Sequence, residues 1–343
     1  MNLKGFAAAA LLCGVSILNA QEAPTGSAVQ PNGDEQKALT QLKGSVKGKI
    51  IWSTSRANSK HDIWIMNADG TGQKPLTASP SNVDWFPRFS PDGKKVVFTR
   101  SKLGWVAESD AEMFDKWDVW TINVDGTGET KVAEDAVWGS WRPSGDSIVY
   151  AAGTKAFVKS VNGGDAKEIF DAEVAIKKGA YAQQPQLSPD GKFLAVTIRG
   201  TARQTGIWNL LTKTWTTTGG GCEATWFPTN DRILRVNEGQ GNGGTEVLAI
   251  HVSPEGKPVE PVEGLSISDK IRFIDLPGRR SHEYFPKLNQ TGEYMVWGST
   301  QVGHEHDIVD YEIYVWKITA DKKAATRITF NSGNDRWPDL FTE

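Results

Sequence analysis

Three of the five histidines in this chain fall in two short segments, Ser281-His282-Glu283-Tyr284-Phe285-Pro286 and Gln301-Val302-Gly303-His304-Glu305-His306-Asp307. Imidazole nitrogens, carboxylates and amide oxygens are the groups that hold a divalent cation. His304 and His306 stand two apart, so in an extended segment their side chains share one side while Glu305 points to the other. The candidate metal ligands are therefore His282, Gln301, His304, His306 and Asp307, for an ion such as manganese or calcium. The competing reading of the same residues is a polar loop held together by its own hydrogen bonds. Arg203, Glu283 and Arg336 are the charged candidates for contact with a polar or anionic ligand. Trp105 and Trp117 flank a stretch carrying Glu108, Asp110, Glu112 and Asp115, a combination that can stack on a sugar or contact a partner. The glycines between Gly239 and Gly244 lack the strand–helix context of a phosphate loop and read as a loop. No Gly-x-Ser-x-Gly elbow occurs, which argues against a serine hydrolase of that type.

The elements that must position these residues are hairpins. The clearest copy is Trp85-Phe86-Pro87-Arg88-Phe89-Ser90-Pro91-Asp92-Gly93-Lys94-Lys95-Val96-Val97-Phe98-Thr99, two β-rich stretches around a Pro-Asp-Gly turn. Weaker copies are expected from Trp141-Arg142-Pro143, Gln184-Pro185-Gln186, Trp226-Phe227-Pro228 and Tyr284-Phe285-Pro286. A second hairpin turns at Asp69-Gly70-Thr71-Gly72 and again at Asp125-Gly126-Thr127-Gly128. Two hairpins make a four-stranded antiparallel sheet, with strands A to D running outward from a central axis. Taking Pro87, Pro143, Pro185, Pro228, Pro286 and Pro338 as strand-A markers gives a period near that of propeller blades. The expected fold is all-β, a six-bladed β-propeller. Lys49-Ile50-Ile51-Trp52-Ser53 reads as a strand B that lacks its strand A, and Asp335-Arg336-Trp337-Pro338-Asp339-Leu340 as the missing partner. The N- and C-terminal strands should thus close the ring, which also removes an exposed sheet edge.

Asn-Ala-Asp-Gly-Thr-Gly followed by Phe-Ser-Pro-Asp-Gly-Lys resembles the repeat of the TolB-type propeller over about residues 48–343. The resemblance implies the architecture. It implies little about function, because similar blades occur in TolB, in prolyl oligopeptidase relatives and in oligogalacturonate lyases. The spacing Gln301-x-x-His304-x-His306 is similar to the manganese-binding segment of the oligogalacturonate lyases. In that family the segment runs into a strand-A proline of a seven-bladed ring. Here it follows a strand B of a ring expected to have six blades, so the similarity points to a metal rather than to a lyase.

Strand order sorts the connections. The A–B and C–D turns share one face, here called the short-turn face, and the B–C and D–A connections share the other. The insertions Ser101–Lys116, Gly264–Ser281 and Thr300–Asp310 are assigned to the second, loop-rich face, where binding is expected. Residues 1–20 read as a signal peptide, with Lys4 ahead of an apolar run from Phe6 to Leu18, and residues 21–47 as a flexible linker. The expected location is periplasmic or secreted; a lipidated Cys13 would instead anchor the chain. After cleavage Cys222 alone remains, so no intrachain disulfide is expected. A formal net charge of −3 argues against a nucleic-acid partner. The leading expectation is a monomeric, non-catalytic module that binds a protein or a carbohydrate or other polyanionic ligand. The alternative is a metal-dependent carbohydrate-active enzyme using His282, His304 and His306.

Overall fold

The computed structural model describes residues 27–57, 60–104, 106–107, 114–238, 244–259, 272–301 and 310–343. The expected signal peptide and Cys13 lie outside the described residues, as do Trp105, Glu108, Asp110, Glu112, His304, His306 and Asp307.

The chain forms six four-stranded antiparallel sheets arranged as the blades of a propeller. Blade 1 is closed by both ends of the chain. Its order is β24 (Asp335–Thr342), β1 (Gly48–Thr54), β2 (Asp62–Asn67) and β3 (Lys74–Pro75). Lys49 pairs with Phe341 and Ile50 with Leu340, the ring closure expected from the sequence. Blade 2 holds β4 (Asp84–Phe89), β5 (Lys95–Ser101), β6 (Trp117–Asn123) and β7 (Thr130–Glu134). Blade 3 holds β8 (Val137–Trp141), β9 (Ser147–Ala152), β10 (Lys155–Ser160) and β11 (Lys167–Asp171). Blade 4 holds β12 (Ala180–Leu187), β13 (Phe193–Gly200), β14 (Gln204–Asn209) and β15 (Thr214–Gly219). Blade 5 holds β16 (Cys222–Trp226), β17 (Arg232–Glu238), β18 (Thr245–His251) and β19 (Arg272–Ile274). Blade 6 holds β20 (His282–Leu288), β21 (Tyr294–Thr300), β22 (Glu312–Lys317) and β23 (Thr326–Arg327).

Each blade must bury both faces, because each packs on two neighbours; its inner strands are accordingly apolar on both sides. The core divides the same way. Ile51, Ile63, Phe89 and Phe98 fill the space between blades 1 and 2. Phe193, Ile207, Trp226 and Ile233 fill that between blades 4 and 5. Phe227, Leu234, Met295 and Trp297 do so between blades 5 and 6.

Two sequence expectations change. In blades 3 and 5 the strand-A position held elsewhere by proline is Gly139 and Ala224, while Pro143 and Pro228 lie beyond β8 and β16 in the A–B turns. They correspond to Pro91 and Pro189, the turn prolines, and the Trp-x-Pro pattern at 141–143 and 226–228 mimics a strand start. In blade 5 the turn residue with positive φ is Asn230 (68°), standing where Gly93 and Gly191 stand in blades 2 and 4. Secondly, β18 and β19 are strands C and D of blade 5, and residues 264–271 of the expected insertion lie between them and outside the described residues. Only 275–281 of the supposed Gly264–Ser281 insertion runs from D to A.

The segment expected to be a linker is partly helical. α1 (Gly33–Leu42) starts with a capping box, the Asn32 side chain accepting from the Asp34 and Glu35 amides and Glu35 reaching back to the Asn32 amide. Leu39 and Leu42 pack on the core between blades 6 and 1. A one-turn helix, α2 (Ala172–Ala175), joins blades 3 and 4. No helix among the described residues is long and apolar enough to cross a membrane.

Candidate functional site

All six innermost strands carry the same defect. Between Trp85 and Arg88, β4 advances three residues while β5 advances two, from Thr99 to Val97. The identical one-residue bulge recurs in β8, β12, β16, β20 and β24. At each bulge one residue adopts a left-handed conformation, with φ between 53° and 63°: Phe86, Trp138, Gln184, Glu223, Phe285 and Trp337. None is glycine or asparagine, and bulky side chains rarely tolerate this region. A conformation of this kind costs about 1–3 kcal/mol per residue and persists only where the surroundings enforce it.

The result is a plug. Phe86 stacks on Trp138 with ring centroids 3.6 Å apart, and Trp337 meets Phe86 and Trp138 edge-on at 4.8 and 5.1 Å and Phe285 at a 36° tilt at 4.1 Å. Two polar members complete the ring. The Gln184 Oε1 accepts from the Glu223 amide at 3.0 Å, and the Glu223 carboxylate accepts from the Phe285 amide. Each therefore ties its own blade to the next.

Two residues beyond each plug residue, toward the short-turn face, stand Arg88, Ser140, Gln186, Thr225, Lys287 and Asp339. These six, one per blade, wall a cavity of about 330 Å³ with Phe86, Trp138 and Gln184 among its lining. Pro91, Pro143, Pro189 and Pro228 of the A–B turns line it as well. The wall is chemically divided. Lys287, Asp339 and Arg88 come from the adjacent blades 6, 1 and 2, and Ser140, Gln186 and Thr225 from blades 3, 4 and 5. The neutral half is committed to holding blades together. Ser140 Oγ donates to the Pro185 carbonyl at 2.6 Å, Gln186 Oε1 accepts from the Trp226 amide at 3.3 Å, and Thr225 Oγ1 donates to the Pro286 carbonyl at 3.2 Å. Asp339 accepts from the Phe89 amide at 2.7 Å.

The charged half is electrostatically tense. Lys287 is buried, and its ammonium donates to Thr225 Oγ1. Burial, and then the nearby Arg88, push it down to about 7, with Asp339 and Glu223 opposing. Arg88 is also lowered by burial. Burial lifts Asp339 above the usual carboxylate range, against the pull of Arg88 and Lys287.

On the other side of the plug, the strand-A side chains are packed. Trp85, Tyr284, Glu283 and Arg336 are all fully buried. The Arg336 guanidinium lies 4.2 Å from the Trp85 ring centre, and the His61 ring 4.0 Å from the same indole. Burial, then Arg336, hold His61 well below its ordinary value, so it is neutral at pH 7. Two acids at the strand-A starts are locked: Asp84 takes two bonds from Arg100 at 2.7 and 2.8 Å, and Asp335 pairs with Arg56 and accepts from Trp52 Nε1 at 3.0 Å. Glu283 accepts from the Leu276 amide at 3.0 Å, and burial pushes its carboxyl up to about 8.

The described residues singled out from sequence fall in three places, His282, Glu283 and Gln301 at one end of blade 6, Arg203 between β13 and β14, and Arg336 beside Trp85. His282 pairs in register with Thr300, which brings it beside Gln301 at the loop-rich end of blade 6. Gln301 is exposed, and so is Arg203, between β13 and β14. Glu283 and Arg336 are interior. Among the described residues no three His, Cys, Asp or Glu groups gather as metal ligands would. The six cavity-wall positions were missed. Their signal was in the sequence as the residue after each Pro, Gly or Ala of strand A, but only in the corrected alignment.

Comparison with solved structures bears on the fold. Acinetobacter baumannii TolB superposes with a TM-score of 0.58 at 16% identity, covering 89% of this chain and 69% of that one. A protein from Agrobacterium tumefaciens assigned as TolB superposes with a TM-score of 0.52 at 13% identity, over 88% of this chain and all of that one. The fold is that of the TolB propeller. At these identities the likeness concerns architecture. No protein-family profile matches the chain. An uncharacterized Agrobacterium fabrum protein, Atu1656, is 25% identical over 167 residues, 44% of this chain and 52% of its own. The matched stretch thus spans about half the length of that relative. The TolB-type ring supplies the scaffold, and the bulged strand A supplies the plug and the wall.

Proposed function

We propose that this protein is a non-catalytic binding propeller, exported by its N-terminal signal sequence, that receives a segment of a partner protein in the cavity on its short-turn face. One observation carries the reading: six homologous positions, one per blade, converge on a cavity of about 330 Å³ above a closed plug. A volume of that size lies at the small end of ligand pockets and admits one or two side chains of a protruding segment. The TolB-type fold supports a binding role in general terms. This reading prefers the short-turn face to the loop-rich face expected from sequence because Trp85, Tyr284 and Arg336, on the loop-rich side of the plug, are fully buried.

Site-specific photo-crosslinking in cells producing the full chain tests this. A benzophenone amino acid in place of Leu288, at the cavity, should give a discrete protein adduct, and one in place of Arg203 should not. Adducts from position 203 and none from 288 would reverse the assignment.

A further inference from the structure

We propose that the short-turn mouth reads a carboxylate: Arg88 and Lys287 together receive an acidic group carried on an apolar body, such as the C-terminal residue or an acidic side chain of the inserted segment. This rests on the reading of the cavity as a binding site and names what it recognises.

The mouth holds two cations, Arg88 and Lys287, whose charges Asp339 and Glu223 favour without making a direct ion pair with either. Lys287 is only 8% exposed, and both cations line the cavity. Among the described residues, neither has a carboxylate oxygen within 4.0 Å. Their hydrogen-bond partners are neutral: the Pro87 carbonyl at 2.6 Å for Arg88, and Thr225 Oγ1 for Lys287. Buried cations are ordinarily paired, because removing an ion from water is costly unless an opposite charge replaces the lost hydration. Asp339 stands between them in the ring and Glu223 lies in the plug, and both favour the two charges, but Asp339 Oδ2 serves the Phe89 amide and the Glu223 carboxylate serves the Phe285 amide. A guest carboxylate would supply a direct ion-pair partner for two donors from blades two apart.

The rest of the lining favours an apolar body on the guest. Ser140, Thr225 and the carbonyl oxygen of Gln186 are used between blades, and the turn prolines have no N–H to offer. Phe86, Trp138 and Trp141 present apolar surface instead. Outside the charged half a sugar would find few hydrogen-bonding partners, whereas an apolar residue bearing one carboxylate would find both surfaces it needs.

The test uses the full chain and three probes: N-acetyl-L-phenylalanine, its amide, and N-acetyl-L-aspartyl-L-phenylalanine amide, with affinity read by calorimetry at pH 6 and pH 8.5. At pH 6 the free acid or the aspartyl peptide should bind at least about tenfold tighter than the simple amide, as expected for a charge-assisted pair of bonds. Preference for the first assigns a chain terminus, preference for the second an acidic side chain. Lys287→Met and Arg88→Gln should each remove most of that advantage. Asp339→Asn keeps an acceptor for the Phe89 amide and should tighten the acid, a gain that misfolding cannot produce. The advantage should shrink at pH 8.5 as Lys287, surrounded by Arg88, Asp339 and Glu223, loses its proton. Equal binding of acid and amide, or an advantage untouched by both cation substitutions, overturns the carboxylate assignment. In that case crosslinking from position 288 would still report on the mouth as a binding site.

Discussion

The two mouths of the channel are built from the same strands and differ in what the bulge leaves on each side. Ahead of the plug, strand A contributes Trp85, Tyr284 and Arg336, which are large and fully buried. Beyond the plug it contributes Arg88, Ser140, Gln186, Thr225, Lys287 and Asp339, which enclose open space. Long loops and histidines draw attention to the first mouth, while the turns of the second are short and regular. Loop length marks where a scaffold tolerates insertion. It does not mark where the interior is open.

The difference between the mouths is lost most completely if the ring itself opens. Deleting Asn334–Glu343 removes β24, the innermost strand of blade 1, together with its plug residue and Asp339, and exposes two sheet edges. The truncated chain should lose the cooperative melting transition of the full-length protein; an unchanged transition would refute the closure.

Next in size is the plug that separates the mouths. Trp337 touches Phe86, Trp138 and Phe285, so Trp337→Ala should destabilise by about 3–5 kcal/mol, as large core truncations do. Chemical denaturation measures this. A loss below about 1 kcal/mol would mean that the aromatic contacts are dispensable and that the plug does not isolate one mouth from the other.

A smaller effect sharpens the contrast in electrostatics. Glu283, on the packed side, has a carboxyl raised to about 8, chiefly by burial. The folded chain therefore keeps a proton that the unfolded chain releases above the ordinary carboxylate range. Stability from this group is fully present below the unfolded value and is lost as pH rises through about 8. Glu283→Gln retains an acceptor for the Leu276 amide and cannot ionise. Its melting temperature should fall less between pH 6 and pH 9 than that of the wild type. Parallel curves would show that Glu283 is already charged in the fold.

The smallest expected effect concerns the histidines. His282 and Gln301 meet at one end of β20 and β21, whereas His304, His306 and Asp307 lie outside the described residues. If the segment holds manganese or calcium, His304→Ala with His306→Ala should abolish metal retained through purification without chelator. The retained metal should also decline as pH falls through the histidine range near 6.5. Negligible metal in the wild type, with no rise in melting temperature on adding either ion, would remove the enzymatic alternative.

The architecture was legible because turn chemistry is local. Pro91-Asp92-Gly93 and Asp69-Gly70-Thr71-Gly72 announce hairpins by residue type, and the incomplete halves around Ile50 and Leu340 announce closure. The site was not, for two reasons. Gly139 and Ala224 replace the strand-A proline, so the alignment shifted onto Pro143 and Pro228 in the turns. Moreover, Phe86, Trp138, Gln184, Glu223, Phe285 and Trp337 give no local hint of positive φ. The ring around them imposes that conformation, and only the folded structure reveals which side chains it turns inward. His61 and Arg336 illustrate the converse, since residues that look functional by type are spent on packing against Trp85.

The propeller is proposed to bind at its open mouth and not at its decorated one. Crystals of the full chain soaked with a panel of small organic fragments test this whatever the partner is. Fragments should collect in the cavity between Arg88, Ser140, Gln186, Thr225, Lys287 and Asp339, over the Phe86–Trp138 stack. A cavity that stays free of fragments, while they gather around His282 and Gln301 at the loop-rich end, would contradict the proposal.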